Sequence, residues 1–192
     1  MKTSFKTSLF AAVTCSLLLT GCVPSVNPLF TPDTTVFQEG LIGLWKEKPD
    51  DEESWTFTKA DDNSYTVTIQ EKGTSSKFQG LLVKLDETFF LDLYPSEEAF
   101  KESKLGDFYK ASLVPAHLIL KIKIGSKLEI QTLKQGLTKH LAESPNDLAH
   151  AFPEKEYLVL TASTADLQKF FKKHANTAAF WSDASALYKV VL

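Results

Sequence analysis

Histidine is the side chain that most often carries proton transfer or metal binding at neutral pH, and this chain has four of them. They are His117, His140, His150 and His174. No two are spaced i, i+4 on a helix or i, i+2 on a strand, the spacings that bring two imidazoles to one zinc ion. The sequence therefore predicts neither a metal site nor any other cofactor.

One histidine and one aspartate lie in predicted strands, where each could have a structural or a catalytic role. His117 opens a predicted strand, but the sequence identifies no nucleophile or orienting acid beside it, which favours a structural role over catalysis. Asp92 lies within the run Phe89–Leu93. If the even positions of that strand face a core, Asp92 is buried and needs a hydrogen-bonding partner; if the odd positions do, it lies outside.

Clustered carboxylates and catalytic motifs do not point to an enzyme either. Residues 50–53 read Asp-Asp-Glu-Glu and residues 61–63 read Asp-Asp-Asn, but both lack the alternating ligands and the glycine of an EF-hand loop. A solvated loop is the favoured interpretation of the acidic run. The chain contains no G-x-S-x-G, no glycine-rich phosphate loop and no H-E-x-x-H. We therefore expect no enzymatic activity.

The two cysteines indicate export rather than a disulfide or a redox site. Two lysines precede an apolar run, Leu9–Leu19, that is too short to span a bilayer, and small residues follow it. The tetrapeptide Leu-Thr-Gly-Cys at 19–22 resembles the bacterial lipobox. The resemblance implies that residues 1–21 are a lipoprotein signal peptide and that Cys22 carries the acyl chains of a lipid anchor. An ordinary signal peptide with a cysteine near its end is the alternative.

Lipidation at Cys22 would determine both the thiol chemistry and the location of the protein. Cys15 leaves with the signal peptide, so the mature chain has neither a free thiol nor a disulfide. One acyl chain, at about 0.8 kcal/mol per buried methylene, holds only marginally, so two or more palmitate-type chains are expected. Val23 follows the cysteine, where an aspartate retains enterobacterial lipoproteins in the inner membrane. The resemblance therefore implies a cell-envelope protein anchored in the outer membrane.

The charge balance argues against nucleic acid as a partner. The 192-residue chain has a net charge of −3, and all 21 of its Lys-plus-Arg residues are lysine. Recognition of phosphates and bases relies on a basic surface and on the bidentate guanidinium of arginine. The expected partners are the membrane, reached through Cys22, and either an envelope protein or a small apolar ligand.

A short proline-containing segment precedes the folded domain. Prolines at 24, 28 and 32 each remove a backbone donor and restrict the preceding residue, which predicts a tether over residues 22–36 without helix or sheet. Leu29 and Phe30 are too apolar for a solvated linker, so we expect them to dock on the domain. That domain covers residues 37–192.

Within the domain the hydrophobic pattern mostly has a period of two, which predicts strands. The apolar face of one predicted hairpin, called the hairpin strip below, consists of Trp55, Phe57, Tyr65, Val67 and Ile69. Further strands are predicted at 77–85, 88–93, 109–113, 117–124, 127–133, 157–161 and 187–191. Helices are predicted at 96–104, 134–143 and 164–174, and Ser163 is expected to cap the last one.

These elements predict a mainly β, α+β domain, in which an antiparallel meander closes into a small barrel with a C-terminal helix and a short final strand. Gly43-Leu44-Trp45 resembles the G-x-W motif that opens lipocalins. The resemblance implies that Trp45 closes one barrel end beneath a basic residue of the last strand, and only Lys189 is in a comparable place. The runs NPLF, GLW, WTFT, FFLDLYP, PAHL and LTAST resemble a group of bacterial lipoproteins with no assigned activity.

Two functions remain open for a lipid-anchored barrel. In the first, the protein is a non-enzymatic module that contacts other envelope proteins, and its barrel is packed solid. In the second, the barrel is hollow and binds a small apolar ligand, such as a lipid, along the hairpin strip. The interior volume separates the two, because sites for drug-sized ligands enclose about 300–1,000 Å³.

Overall fold

The described strands form one sheet, antiparallel at all pairings but one, that closes on itself. The computed structural model describes residues 23–61, 63–102, 105–151 and 158–191. The predicted signal peptide and Cys22 lie outside these residues.

The described strands are short except for one long strand in the middle of the sheet. They are β1 Pro24–Ser25, β2 Thr35–Val36, β3 Gly43–Lys46, β4 Ser54–Lys59, β5 Tyr65–Glu71, β6 Thr74–Leu85, β7 Thr88–Pro95, β8 His117–Ile124, β9 Leu128–Gln131, β10 His150–Ala151, β11 Val159–Leu160 and β12 Ser185–Lys189. The helices are a 3-10 turn at Glu39–Leu41 and α1 Glu97–Glu102, α2 Asp107–Ser112, α3 Gln135–Glu143 and α4 Thr164–His174.

Eight of these strands form a closed barrel. Each strand from β3 to β9 pairs antiparallel with the next one along the chain. The last strand, β12, pairs with both β9 and β3 and so closes the ring. The predicted fold class is confirmed: a mainly β, closed antiparallel barrel with a C-terminal helix and a final strand. The architecture is consistent with a lipocalin-like barrel.

The predicted strand at 109–113 is wrong, because this part of the chain is helical. It belongs to the connection from β7 to β8, and residues 107–112 form α2. Both edges of β7 are occupied, one by β6 and the other by β8, so the connection has no adjoining free edge with which to pair. A helical turn satisfies its backbone groups locally instead.

The segment predicted to be a tether is packed onto the domain, and the expectation that it forms no sheet is wrong at two places. β1 pairs with residues 117–118 of β8, and β2 pairs with residues 82–83 of β6. Since β9 pairs only with residues 121–124 of β8, the first residues of β8 offer a free edge to β1. Leu29 docks as expected and is fully buried.

Strands β7 and β8 and residues 81–83 of β6 bury both of their faces, and two hydrophobic cores result. Their inward residues, such as Leu82, Leu91 and Leu120, fill the barrel and form the barrel core. Their outward residues, such as Phe90 and Ile119, pack beneath α3, α4 and the N-terminal segment and form the outer core. Strand segments buried on both faces have continuous apolar sequences, as Leu81–Val83 and Leu118–Leu120 do.

Helix α4 lies over the outer core and has a well-defined start. The Ser163 hydroxyl accepts a hydrogen bond from the backbone N–H of Asp166, so the predicted cap is confirmed. Leu167, Phe170 and Phe171 are its buried face, as their helical spacing requires. Among the described residues, no helix is both long enough and apolar enough to cross a membrane.

Candidate functional site

Trp45 of the G-x-W motif belongs to the barrel core and does not line the apolar cavity at the other end, so we call its end of the barrel the closed end. Trp45 is 2% exposed, and its indole N–H donates to the carbonyl of Leu41 at 2.8 Å. The ammonium of Lys189 lies 5.4 Å from the centroid of the Trp45 ring, within range of a cation–π interaction, and donates to the carbonyl of Gly40. Lys189 therefore occupies the position over the tryptophan that the lipocalin resemblance assigns to a basic residue.

Both the backbone conformation and the packing at position 43 require a glycine. Gly43 has a φ of +133°, a conformation that side chains rarely adopt. A Cβ at this position would lie 2.7 Å from Cε of Lys189. Because residue 43 has no side chain, the side chain of Lys189 can pass beside it and lie over the ring of Trp45.

The hairpin strip divides between the closed end and the opposite end, called the mouth end. Phe57, Tyr65 and Val67 are fully buried and fill the closed half of the barrel. The Tyr65 hydroxyl accepts from the backbone N–H of Gln38, and burial raises the pKa of this phenol. Trp55 and Ile69 are only half-buried and lie at the mouth end.

The mouth end contains an apolar cavity of about 150 Å³. We call it the mouth cavity, and its apolar walls are Trp55, Ile69, Phe78, Leu93, Leu118, Leu120 and Ile130. Polar residues complete the lining: Glu53, Gln70, Glu71, Ser76 and Thr132. The side chains that fill the closed half are therefore replaced here by open space.

The size of this cavity limits what it can hold. At about 150 Å³ it is smaller than the ~300–1,000 Å³ typical of sites for drug-sized ligands. It matches in size an apolar protein cavity of roughly 150 Å³ known to bind benzene or xenon. The geometry suits one short apolar group rather than an entire lipid.

A buried polar cluster lies on the outer wall of the barrel, close to the mouth cavity. Asp92 is 1% exposed, and one carboxylate oxygen lies 2.7 Å from Nδ1 of His117. The other oxygen accepts the backbone N–H of Leu29 at 2.7 Å. The sequence alone allows Asp92 to lie on either side of β7, and in the fold it faces the outer core, with His117 and Leu29 as its partners.

This cluster contains the residue types of a hydrolytic triad without its geometry. Ser25 lies directly across the β1–β8 ladder from His117, which is paired with Asp92. The Ser25 hydroxyl, however, donates to the carbonyl of Asn27 at 2.7 Å, and Ser25 is fully buried. Because the nucleophile of a triad must be bonded to its base and reachable by substrate, we interpret the cluster as a structural clasp on the N-terminal segment.

Two of the other three histidines, His140 and His174, pack together between α3 and α4, whereas His150 lies in β10. The rings of His140 and His174 lie 5.8 Å apart, and His140 Nε2 lies 2.8 Å from a carboxylate oxygen of Asp147. His174 Nε2 is buried without a hydrogen-bond partner. No group of three or more potential metal ligands occurs among the residues that the structure describes. The contacts of both histidines are mainly with Phe170 and Phe180.

Comparison with models of protein families, with curated proteins and with solved structures finds no match to this chain.

Proposed function

We propose that this protein is a lipid-anchored, non-enzymatic protein of the bacterial cell envelope that binds one small apolar group in its mouth cavity. The anchor is Cys22, and the outer membrane is the location that the lipobox resemblance implies. The observation that carries the binding role is the apolar opening at the mouth end of a barrel whose other half is filled.

The chemistry of the lining defines the ligand class. Seven of the lining residues are apolar, and they include the aromatic Trp55 and Phe78 besides branched aliphatic residues. Glu53, Gln70 and Glu71 lie at the opening, where they can remain hydrated. This arrangement of apolar walls and polar opening suits a ligand whose hydrocarbon end enters the cavity while its polar end stays in water. Each methylene buried in this way contributes about 0.8 kcal/mol.

The binding role is tested with a form of the chain that begins at Val23, titrated with fatty acids of increasing length. Trp55 lines the cavity, so saturable one-to-one binding is expected to change tryptophan emission. Leu118→Phe fills the opening and should weaken binding about tenfold, the loss expected when roughly two methylenes are displaced. Val191→Phe is the matched control, because Val191 is 93% exposed and outside the cavity, and it should leave the affinity unchanged.

A second candidate is a module that contacts other envelope proteins. The observation that favours it is the filling of the closed half of the barrel by Phe57, Tyr65 and Val67, which leaves room for only a small ligand. If no fatty acid of any length binds saturably, the ligand role is wrong and the interaction module remains.

The anchor has its own test. Replacing the cysteine by serine removes the thiol that accepts the lipid, so Cys22→Ser should abolish palmitate labelling and release the protein from membranes. Continued labelling of the serine variant in the membrane fraction would show that the lipobox interpretation is incorrect.

A further inference from the structure

An exposed apolar surface extends along the connection from β7 to β8. Phe108 is 98% exposed, Tyr109 61% and Val114 74%. Together with Leu105 and Leu113 these residues form what we call the docking face, and α2 has no buried residue. Contiguous exposed apolar residues of this size on a soluble domain usually mark a contact with a protein or a membrane.

The docking face belongs to the mouth end of the barrel. Its connection leaves β7 at Pro95 and enters β8 at His117. Leu93 and Leu118, near these two points, line the mouth cavity. The docking face and the opening of the cavity are therefore on the same end of the molecule.

The N-terminal segment reaches the fold at the same end. β1 pairs with the first two residues of β8. Val23 is 6% exposed and lies in a small gap lined also by Leu118, Leu120 and Thr132, three residues that line the mouth cavity as well. Cys22 is bonded to Val23, so their Cα atoms are about 3.8 Å apart. A lipid on Cys22 would thus be attached one residue from Val23, with no flexible linker between the lipid and the domain.

From these three placements we infer that the mouth end lies against the lipid bilayer, with the docking face as the contact surface. The inference rests on the anchor of the proposed function. An anchor attached directly to a buried residue holds the nearest end of the domain at the membrane surface. Exposed aromatic and aliphatic side chains at that end then enter the interfacial region, where such residues are stabilised. The mouth cavity opens toward the lipid in this orientation.

The charge at the mouth end determines which lipid suits the contact. The acidic residues 50–53 precede β4, and Glu53 lines the cavity opening. Anionic headgroups would repel these carboxylates, while zwitterionic headgroups would not. The contact is therefore apolar, and vesicles of phosphatidylethanolamine and phosphatidylcholine are the matching surface.

The test places an environment-sensitive fluorophore at each end of the lipidated protein. The mature chain has no free thiol, so Phe108→Cys and Val191→Cys each give a single site for a nitrobenzoxadiazole label. Val191 is a matched control, since it is 93% exposed and follows β12 where that strand ends at the closed end. Both proteins are reconstituted in the zwitterionic vesicles, and palmitate labelling confirms the anchor in each sample.

The label at position 108 should show blue-shifted emission and strong quenching by lipids that carry a nitroxide on the acyl chain. The label at 191 should show neither. If palmitate-labelled, vesicle-bound protein shows two water-exposed labels, the orientation is wrong although the anchor is correct. A blue shift at 108 without nitroxide quenching would show that a second copy covers the docking face, which also overturns the inference. Loss of palmitate labelling would overturn the anchor itself and this orientation with it.

Discussion

At the scale of single residues, Asp92 is the most consequential polar group of the fold. Its carboxylate joins β7 to His117 of β8 and to the backbone of Leu29, so one side chain connects three parts of the chain. A buried carboxylate is tolerated only when its oxygens are hydrogen-bonded, and here each oxygen has a partner. The pair thus helps to hold the segment next to the proposed anchor against the barrel, together with the pairing of β1 with β8.

Removing this carboxylate should destabilise the protein strongly. Asp92→Ala leaves the Leu29 N–H and His117 buried without their partner, so the free energy of unfolding should fall by about 3–5 kcal/mol. Asp92→Asn keeps an acceptor oxygen and should lose less, about 1–3 kcal/mol. Urea denaturation measures both, with Asp183→Ala, which removes an exposed carboxylate, as the control. A loss for Asp92→Ala no larger than that of the control would contradict the clasp.

The clasp could not have been predicted from the sequence. His117 is 25 positions from Asp92, and Leu29 is 63 positions away, so no local spacing connects them. The sequence shows only that Asp92 interrupts an apolar strand, and whether such a strand buries one face or both depends on the rest of the fold. The mouth cavity is similar: the hairpin strip identified two of its walls, but the division between filled and open halves depends on how all eight strands pack.

At the scale of elements, α3 and α4 meet through a cluster of rings that contains two histidines. His174 of α4 contacts Phe170 and Phe180, and its Nε2 is buried without a partner. Burial lowers the pKa of His174 below its ordinary 6.5, Lys173 and His140 lower it further, and Asp147 acts in the opposite direction. The packing therefore favours neutral His174.

This contact should make stability depend on pH in a definite direction. Unfolded His174 binds a proton near pH 6.5, whereas folded His174 binds it only at lower pH, so the unfolded state holds more protons between the two values. Its contribution is fully present above pH 6.5 and is lost as the pH falls through the lower folded pKa. Thermal unfolding from pH 8 to 5 should show a shallower decline for His174→Phe than for wild type, and equal slopes would exclude this role.

Elements that local sequence determines could be predicted, whereas elements that depend on pairing with distant strands could not. His117–Ile124 and Thr164–His174 match their predicted bounds because an apolar pattern and clear start signals are local properties. The segment 109–113 was predicted as a strand although its lysine and alanine are poor strand formers, and it forms a helix instead. The pairing of β1 was missed for a different reason, since a free edge of β8 outweighed the low propensity of a proline-containing segment.

At the scale of the whole molecule, the two cores share one wall. Leu91 and Leu93 of β7 face the barrel core, while Phe90 between them faces the outer core. β4 and β5 contact only the barrel core, because their outward residues are polar and mainly threonines that are exposed or half-buried. α4 contacts only the outer core. Since loss of the shared wall exposes both cores, the domain should unfold as one unit.

Gly136 offers a way to disturb the outer core alone and observe the barrel. A Cβ on this residue of α3 would lie 1.8 Å from the carbonyl oxygen of Ala179, so Gly136→Ala must displace the helix and should cost about 1–3 kcal/mol. Gly106→Ala is the matched control, because no atom lies within 4 Å of its added Cβ.

Backbone hydrogen exchange, followed by mass spectrometry, reports the opening free energy of each element separately. If the shared wall makes the domain a single unit, Gly136→Ala lowers the exchange free energy of β4–β5 and of α4 by the same amount, although the substitution touches neither β4 nor β5. Gly106→Ala should lower neither. A decrease confined to α4 would mean that the outer core opens while the barrel stays closed. The N-terminal segment, whose Val23 and Leu29 belong to the outer core, would then loosen next to the proposed anchor without unfolding the barrel.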